Sequence, residues 1–320
     1  MPYPSPPAGR PLRLAFVGQR TFFEVCTLGD ERPDFSTRFL EFRRHGDAAA
    51  LRSDLDAFAP DVVVVFRPEI IPAGTFDGLR AATLGFLTEP IPRDAAGGHH
   101  DLDRRRWELE QVDAGSFDRV VSFDPLIAPT AEAILPVWRS VPLPVSDRLY
   151  RDVGPIVAKP RVLFVGRSTP HREQMLAAAK ADHPDLLHEA FGVGAADLER
   201  LMAEHEVGIN LHNDTYWSFE NRVCLHLAAG HLVLSEPLSP QHGLERGIDY
   251  LEVSHGGALS FLLGQVERFP RTWHRVRVRG RLKAEQFRAS RVWPRLVHDL
   301  QADLAAFGTR RVGPAAYLRR

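Results

Sequence analysis

Short apolar runs punctuate the first half of the chain, each ending at polar, glycine or proline residues. The runs at 12–17, 62–66, 83–87 and 119–123 predict strands. Residues 62–66, Val-Val-Val-Val-Phe, contain no polar position, the pattern of a strand covered on both faces. Between these runs, residues 35–45, 48–58, 102–112 and 126–137 space their apolar side chains as helices do. Such alternation predicts a doubly wound α/β domain with a parallel sheet. Gly18 ends the first run and permits a tight turn, but no G-x-G-x-x-G pattern follows, so the turn alone does not indicate a dinucleotide site.

From 141 to 160 prolines recur and periodicity is lost, until Arg161 opens a new apolar run. This is a domain-boundary signal. The expected division is a Pro-rich, disordered lead-in at 1–11, a first Rossmann-like domain at 12–150, a linker at 151–160 and a second Rossmann-like domain at 161–320. The last helices of the second are free to pack back on the first. The second half predicts strands at 162–165, 187–191, 207–211, 231–235 and 249–253. Helices are expected at 171–181 and 195–204, from Phe219 onward, and two or three times between 256 and 307.

The second half is organised around residues 207–240. Its strand at 207–211 runs into His212, Asn213 and Asp214, and a helical segment then closes on Ala228-Ala229-Gly230 before the next strand. Ligands of open α/β sheets bind beyond the carboxyl ends of the strands, so Asn213, Asp214, Ser218, Glu220 and Asn221 stand where a polar ligand would be met. The same residues also suit local roles, an Asx-type turn at 212–214 and a helix cap at Ser218.

Composition narrows the function classes. The 320 residues, 44% hydrophobic and 25% charged, suffice for two separate cores. A formal net charge of -1 gives no general attraction to nucleic acid or an anionic membrane, and the Arg-rich stretch at 271–281, interleaved with Trp273, reads as a solvated face over buried aromatics. No apolar run approaches the roughly 20 residues that span a bilayer, and the N-terminus has no apolar signal core, so no integral membrane segment is expected. Cys26 and Cys224, far apart in the chain, imply neither a disulfide framework nor a structural zinc and fit a reducing cytoplasm.

Three stretches carry a resemblance: VLFVGRSTPHR at 162–172, FENRVCLHLAAGHLVLSEPL at 219–238 and GLERGIDYLEV at 243–253. Together they resemble the GT-B glycosyltransferases, in particular the group-1 type and its spore-maturation-protein-like (CgeB-like) branch. VPLPVSDRLY at 141–150 is similar to that family's Pro-containing entry to the interdomain linker. The resemblance implies an α/β fold of two doubly wound Rossmann-like domains facing a cleft. It implies a nucleotide-diphosphate-sugar donor on the second domain, a hydroxyl-bearing acceptor on the first, and no cofactor or metal beyond the donor as co-substrate. After Gly166, Arg167 stands in the family's Arg position and Arg172 in its Lys position.

Elementary chemistry agrees with that placement. A diphosphate leaving group gains negative charge as the glycosidic bond breaks, and two guanidinium groups at a strand end, with the start of the helix near 171, can neutralise it without metal. The alternative is a pair of solvated loop arginines. Retaining members carry two glutamates eight residues apart, yet alignment on Gly230 puts Trp217 and Leu225 there, so the pattern assigns neither a retaining nor an inverting outcome. Glu220 is the substitute carboxylate, with Asn213, Asp214 and Asn221 as further partners of sugar or ribose hydroxyls. Glu89, ending the strand at 83–87, is either a base toward an acceptor hydroxyl or an ion-pair partner of Arg93. A catalytically inactive GT-B-shaped binding or scaffold protein, or a sugar-nucleotide epimerase, are the alternative functions.

Other features read as structural. Asp54-Leu55-Asp56 and Asp101-Leu102-Asp103 match the DxD pattern of metal-dependent sugar transferases, but both fall on predicted helix surfaces or starts. His99-His100-Asp101 lacks further ligands for a metal. His226 and His231 bracket the small-residue turn and read as structural histidines.

Overall fold

The computed structural model describes residues 9–29, 32–93, 100–190 and 193–309. The N-terminal lead-in up to residue 8 and His99 of the candidate metal motif lie outside them. The chain divides into two compact units, 1–143 with 290–320, and 144–289. Both are wound from parallel strands.

Unit 1 contains β1 (Leu12–Gly18), α1 (Arg20–Phe23), β2 (Phe35–Glu41), α2 (Ala48–Phe58), β3 (Val62–Phe66), β4 (Ala82–Leu87), α3 (His100–Glu110), β5 (Arg119–Ser122), α4 (Ala128–Glu132) and β6 (Arg139–Ser140). Its sheet order is β2-β1-β3-β4-β5-β6, every pair parallel. All five residues of β3 are buried, as the unbroken Val run requires.

The segment expected as a helix at 35–45 is instead the edge strand β2, in register with β1 from Leu12↔Phe35 to Gly18↔Glu41. Its apolar positions 35, 39, 40 and 42 mimic a helical stripe because 35 and 39 lie on one face of the strand and 40 and 42 on the other, and both faces bury side chains. Its other side chains lie on neighbours, with Arg38 over the Phe58 ring and Arg20 over that of Phe39. The helix expected at 126–137 shrinks to α4 and a preceding 3-10 turn, in a stretch where Pro125, Pro129 and Pro136 interrupt the backbone donors.

Unit 2 contains β7 (Val162–Val165), α5 (Pro170–Asp182), β8 (Leu187–Glu189), α6 (Ala195–Glu204), β9 (Val207–Asn210), α7 (Asn221–Ala228), β10 (Leu232–Ser235), β11 (Leu251–Glu252), α8 (Gly256–Arg268) and α9 (Pro270–Lys283). The sheet order β11-β10-β9-β7-β8 is again all parallel. The chain leaves β7 toward β8 and returns to β9 on the other side of β7, so the strand order reverses between β7 and β9. Ligands of doubly wound sheets sit at this switch point, outside the carboxyl ends. Phe164, Ile209 and Leu234 of the sheet pack with Met175 and Leu176 of α5 and Leu259 and Leu263 of α8 into one core.

The division differs from the expected boundary at 150–161. Residues 144–150 are fastened inside unit 2: Val145 N donates to Phe287 O at 2.8 Å, Ala289 N to Val145 O at 2.8 Å, and the Tyr150 hydroxyl to Ala284 O at 2.7 Å. Conversely, α10 (Ala289–Phe307), assigned above to the second domain, belongs to unit 1 from Ser290 onward. Trp293, fully buried, packs edge-on against Phe16, Phe66 and Phe86 and donates its indole N–H to Cys26 O at 2.7 Å.

Candidate functional site

At the switch point of unit 2, Gly166 directly follows β7. A Cβ there would lie 3.1 Å from Nη2 of Arg222 and 3.3 Å from Nη1 of Arg172, so the bare glycine leaves room for two guanidinium groups. Thr169 caps α5 by accepting from Arg172 N at 3.2 Å, and its hydroxyl donates to Asn213 O at 2.8 Å. One threonine thereby ties the loop after β9 to the start of α5.

Arg172, only 2% exposed, lies beneath the loops rather than on them. Its Nε donates to Leu211 O and His212 O, its Nη2 to Leu211 O at 2.8 Å and its Nη1 to Arg167 O at 3.1 Å. Burial first, and the neighbouring Arg222 second, push its pKa down to about 9, which leaves it charged at neutral pH. Arg167 itself is exposed, at the tip of the turn that Arg172 secures.

Sequence reasoning missed Arg222. It sits at the second position of α7, where its Nε donates to Val165 O and its Nη1 to Asn210 Oδ1 at 2.9 Å and Leu211 O at 3.1 Å. Arg222 and Arg172 both lie over the Phe164 ring, 5.1 and 5.5 Å from its centroid. The signal was present: a lone cation in the first turn of an otherwise apolar helix opposes the helix dipole and needs a reason to be there.

Glu220 occupies the N-cap position of α7, but its side chain caps nothing. Its Oε1 accepts from the Ser218 hydroxyl at 3.1 Å. Burial pulls its pKa upward, yet the charges of Arg222 and Arg172 outweigh burial and hold the carboxylate below its ordinary range. Ser218 therefore serves Glu220 and not a helix end, and it also lies 3.3 Å from His212 Nδ1. His212 is fixed on two sides, its Nε2 donating to Pro237 O at 2.9 Å and its backbone N–H to Glu236 Oε2 at 2.7 Å. Glu236 also accepts from His171 Nε2 at 2.8 Å. Burial lowers the His212 pKa and keeps that imidazole neutral.

The remaining candidates separate. Asn213 keeps a buried Oδ1 with no hydrogen-bond partner among the described residues. Asp214 accepts from the N–H of its immediate neighbour, Thr215, at 2.7 Å, which is not the two-residue reach of an Asx turn. Asn221 opens α7, half-buried beside Glu220. Trp217, in the loop before Ser218, is 55% exposed, and Leu225 is buried within α7.

Glu89 belongs to unit 1, at the carboxyl end of β4. It pairs with Arg105 at 3.0 Å and not with Arg93, which reaches Asp124 at 3.1 Å. Glu89, Thr88, Glu108, Arg105 and the apolar Leu87 and Ile127 are among the residues lining a recess there. Both DxD matches are helix surface: Asp56 pairs with Arg52 on α2 and Asp101 with Arg104 on α3. Among the described residues no three His, Cys, Asp or Glu side chains converge on a metal position.

No protein-family model and no curated protein matches the amino-acid sequence. Solved structures do match its fold. The Anabaena protein HepE, in complex with UDP-glucose, superposes with a TM-score of 0.61 at 10% identity, covering 91% of this chain and 100% of that one. Sucrose-phosphate synthase from Thermosynechococcus elongatus gives 0.63 at 9% identity over 92% and 100%. S. aureus MnaA, bound to UDP, gives 0.52 at 9% over 91% and 97%. With its two doubly wound parallel units, the chain has the GT-B fold of these structures.

Proposed function

We propose that the protein is a glycosyltransferase that moves a sugar from a nucleotide-diphosphate donor to a hydroxyl-bearing acceptor, with unit 2 as the donor-binding unit. The observation that carries this reading is the pair of guanidinium groups, buried Arg172 and half-buried Arg222, flanking bare Gly166 where the strand order reverses. Fixed positive charge is what a departing diphosphate needs, and it requires no metal. The UDP and UDP-glucose bound by HepE and the UDP bound by MnaA make uridine nucleotides the first probes. The motifs at 162–172 and 219–238 support the group-1 class and, more narrowly, the spore-maturation-protein-like branch.

In the transfer, the bond from the anomeric carbon to the diphosphate breaks and a bond to the acceptor oxygen forms. The acceptor proton passes to a base and the nucleoside diphosphate leaves. Arg167 at the exposed turn is the proposed direct phosphate ligand. Arg172, serving main-chain carbonyls, holds that turn and adds field. Glu220, Asn213, Asp214 and Asn221 are the proposed partners of sugar or ribose hydroxyls, and Glu89 the proposed base. The absence of carboxylates at Trp217 and Leu225 favours, as a second reading, a protein that binds the nucleotide without turnover.

Calorimetric titration with UDP tests the binding half. Arg167→Ala should weaken binding by about 1.5–3 kcal/mol, the range of a charge-assisted hydrogen bond. Equal affinity in wild type and Arg167→Ala would put the phosphates elsewhere. Glu220→Gln then separates the two readings: at least a roughly tenfold loss of turnover, about 1.4 kcal/mol, belongs to the transferase. UDP binding without sugar transfer to any hydroxyl acceptor belongs to the binding protein.

A further inference from the structure

We propose that α9 is a docking surface for an anionic lipid bilayer. The helix has 14 residues, among them Arg271, Arg275, Arg277, Arg279, Arg281 and Lys283, and no acid, in a chain whose net charge is -1. Spacing by four sets Arg271, Arg275, Arg279 and Lys283 in one row, about 18 Å long, exposed at its first three members and bordering the buried Val276 and Gly280. The other two cations are used inward, Arg277 donating to Gly230 O at 2.6 Å and Arg281 to Arg151 O at 2.6 Å.

Within the row, Arg271 and Arg275 are exposed. Arg279 keeps 49% of its side chain in solvent although it approaches the buried Asp249 to 3.9 Å. The neighbouring acids are engaged, Glu285 by Arg281 and Arg288, and Glu206 by Arg161. The sequence pattern suggested a solvated face over buried aromatics, yet the exposed side itself carries apolar groups. Leu282, 64% exposed, falls inside the cationic row, and Phe269, 46% exposed with Arg268 above its ring, stands immediately before the helix.

Charge complementarity names the class of partner, and the exposed apolar groups choose within it. A nucleic acid would use the cations and gain little from a bare leucine and phenylalanine. The interface of an anionic bilayer takes both, with cations at the headgroups and apolar side chains at the acyl boundary.

Co-sedimentation of the full chain with vesicles tests this. Binding is expected to vesicles of phosphatidylcholine with 30% phosphatidylserine at about 0.1 M salt, to fall away at about 0.5 M, and to be absent with phosphatidylcholine alone. At about fivefold per basic side chain, Arg275→Gln with Arg279→Gln should weaken binding roughly 30-fold. Leu282→Ser should weaken it several-fold at unchanged charge. Circular dichroism checks the fold, and if the double variant is misfolded the Arg275→Gln single variant carries the test at about fivefold. No binding to the anionic vesicles, or unaltered binding by the folded variants, overturns the proposal. So does tighter binding to a DNA duplex with Leu282→Ser inert, which would make α9 a nucleic-acid surface.

Discussion

His226 and His231 bring their Nδ1 atoms within 2.9 Å, which fixes their protons. Because His231 Nε2 donates to Met202 O at 2.8 Å, its Nδ1 must accept from His226, and both rings are neutral. Burial lowers the pKa of His231 to about 3 and that of His226 well below its ordinary value. Folded-state values below the unfolded ones mean that the unfolded chain takes up protons first as the pH falls. Stability present above about pH 6.5 is then lost toward pH 3, by up to about 1.4 kcal/mol per pH unit for each imidazole. Urea unfolding at pH 7.5, 6 and 5 should show this decline, smaller in His231→Gln, and a flat profile would contradict the assignment. The His226 ring also occupies the place a side chain at position 208 would take, with a Cβ there only 2.3 Å from the ring. Gly208→Ala should therefore cost at least about 1–3 kcal/mol by overpacking, read from the same unfolding curves. Arg172 makes a third case. Its loss would leave His212 O without that donor and Leu211 O with Arg222 alone, so Arg172→Ala should destabilise the fold by about 1–3 kcal/mol. Arg167→Ala, at an exposed turn, should stay within about 0.5 kcal/mol of wild type.

Elements whose pattern and environment agree could be read from the amino-acid sequence alone. The Val run of β3 is covered on both faces, and α6 was expected over its observed span of Ala195–Glu204. At β2 the two diverge. This edge strand buries side chains on both faces, Phe35 on one and Leu40 and Phe42 on the other, so its apolar residues fall at intervals that a helix would also produce. Which period applies is decided by pairing with β1, a long-range fact invisible in a local window. The candidate site divides in the same way. The strand ends carrying Gly166, Arg167 and Asn213 followed from the α/β alternation. Arg222 did not, because its role depends on α7 delivering a guanidinium beneath β7 and β9. Nor did the difference between Arg167 and Arg172, which are five residues apart but face solvent and core respectively. The start of α7 thus combines Glu220 and Arg222, and each favours the charged form of the other against burial. Arg222→Leu should raise the Glu220 pKa toward and beyond its ordinary value, visible as an upward shift of the carboxyl titration by NMR. An unshifted titration would mean that Arg172 alone holds the carboxylate ionised.

The chain crosses from one unit to the other twice, after Leu143 and after Ala289, so neither half of the sequence is a folding unit as it stands. Unit 1 takes back α10, and with it Trp293, whose indole fills the space among Phe16, Phe66 and Phe86. Replacing so buried an aromatic by Ala typically costs about 3–5 kcal/mol, a large share of the 5–15 kcal/mol that holds an ordinary protein folded. Residues 1–143 expressed alone lack that side chain and should show no cooperative unfolding. Unit 2 is continuous from 144 to 289 and holds its ends together through Val145, Phe287 and Ala289. It also contains Gly166, Arg167, Arg172, Glu220 and Arg222. Expressed alone, residues 144–289 should unfold cooperatively and bind UDP with an affinity comparable to that of the full chain. The gain in unfolding free energy should be about 2.7 kcal/mol at one hundred times the dissociation constant. A folded fragment that gains no stability from UDP, beside a full chain that does, would show that unit 2 is not sufficient for the nucleotide. A fragment that fails to fold would show that the hydrogen bonds joining residues 145 and 287–289 do not close the unit by themselves.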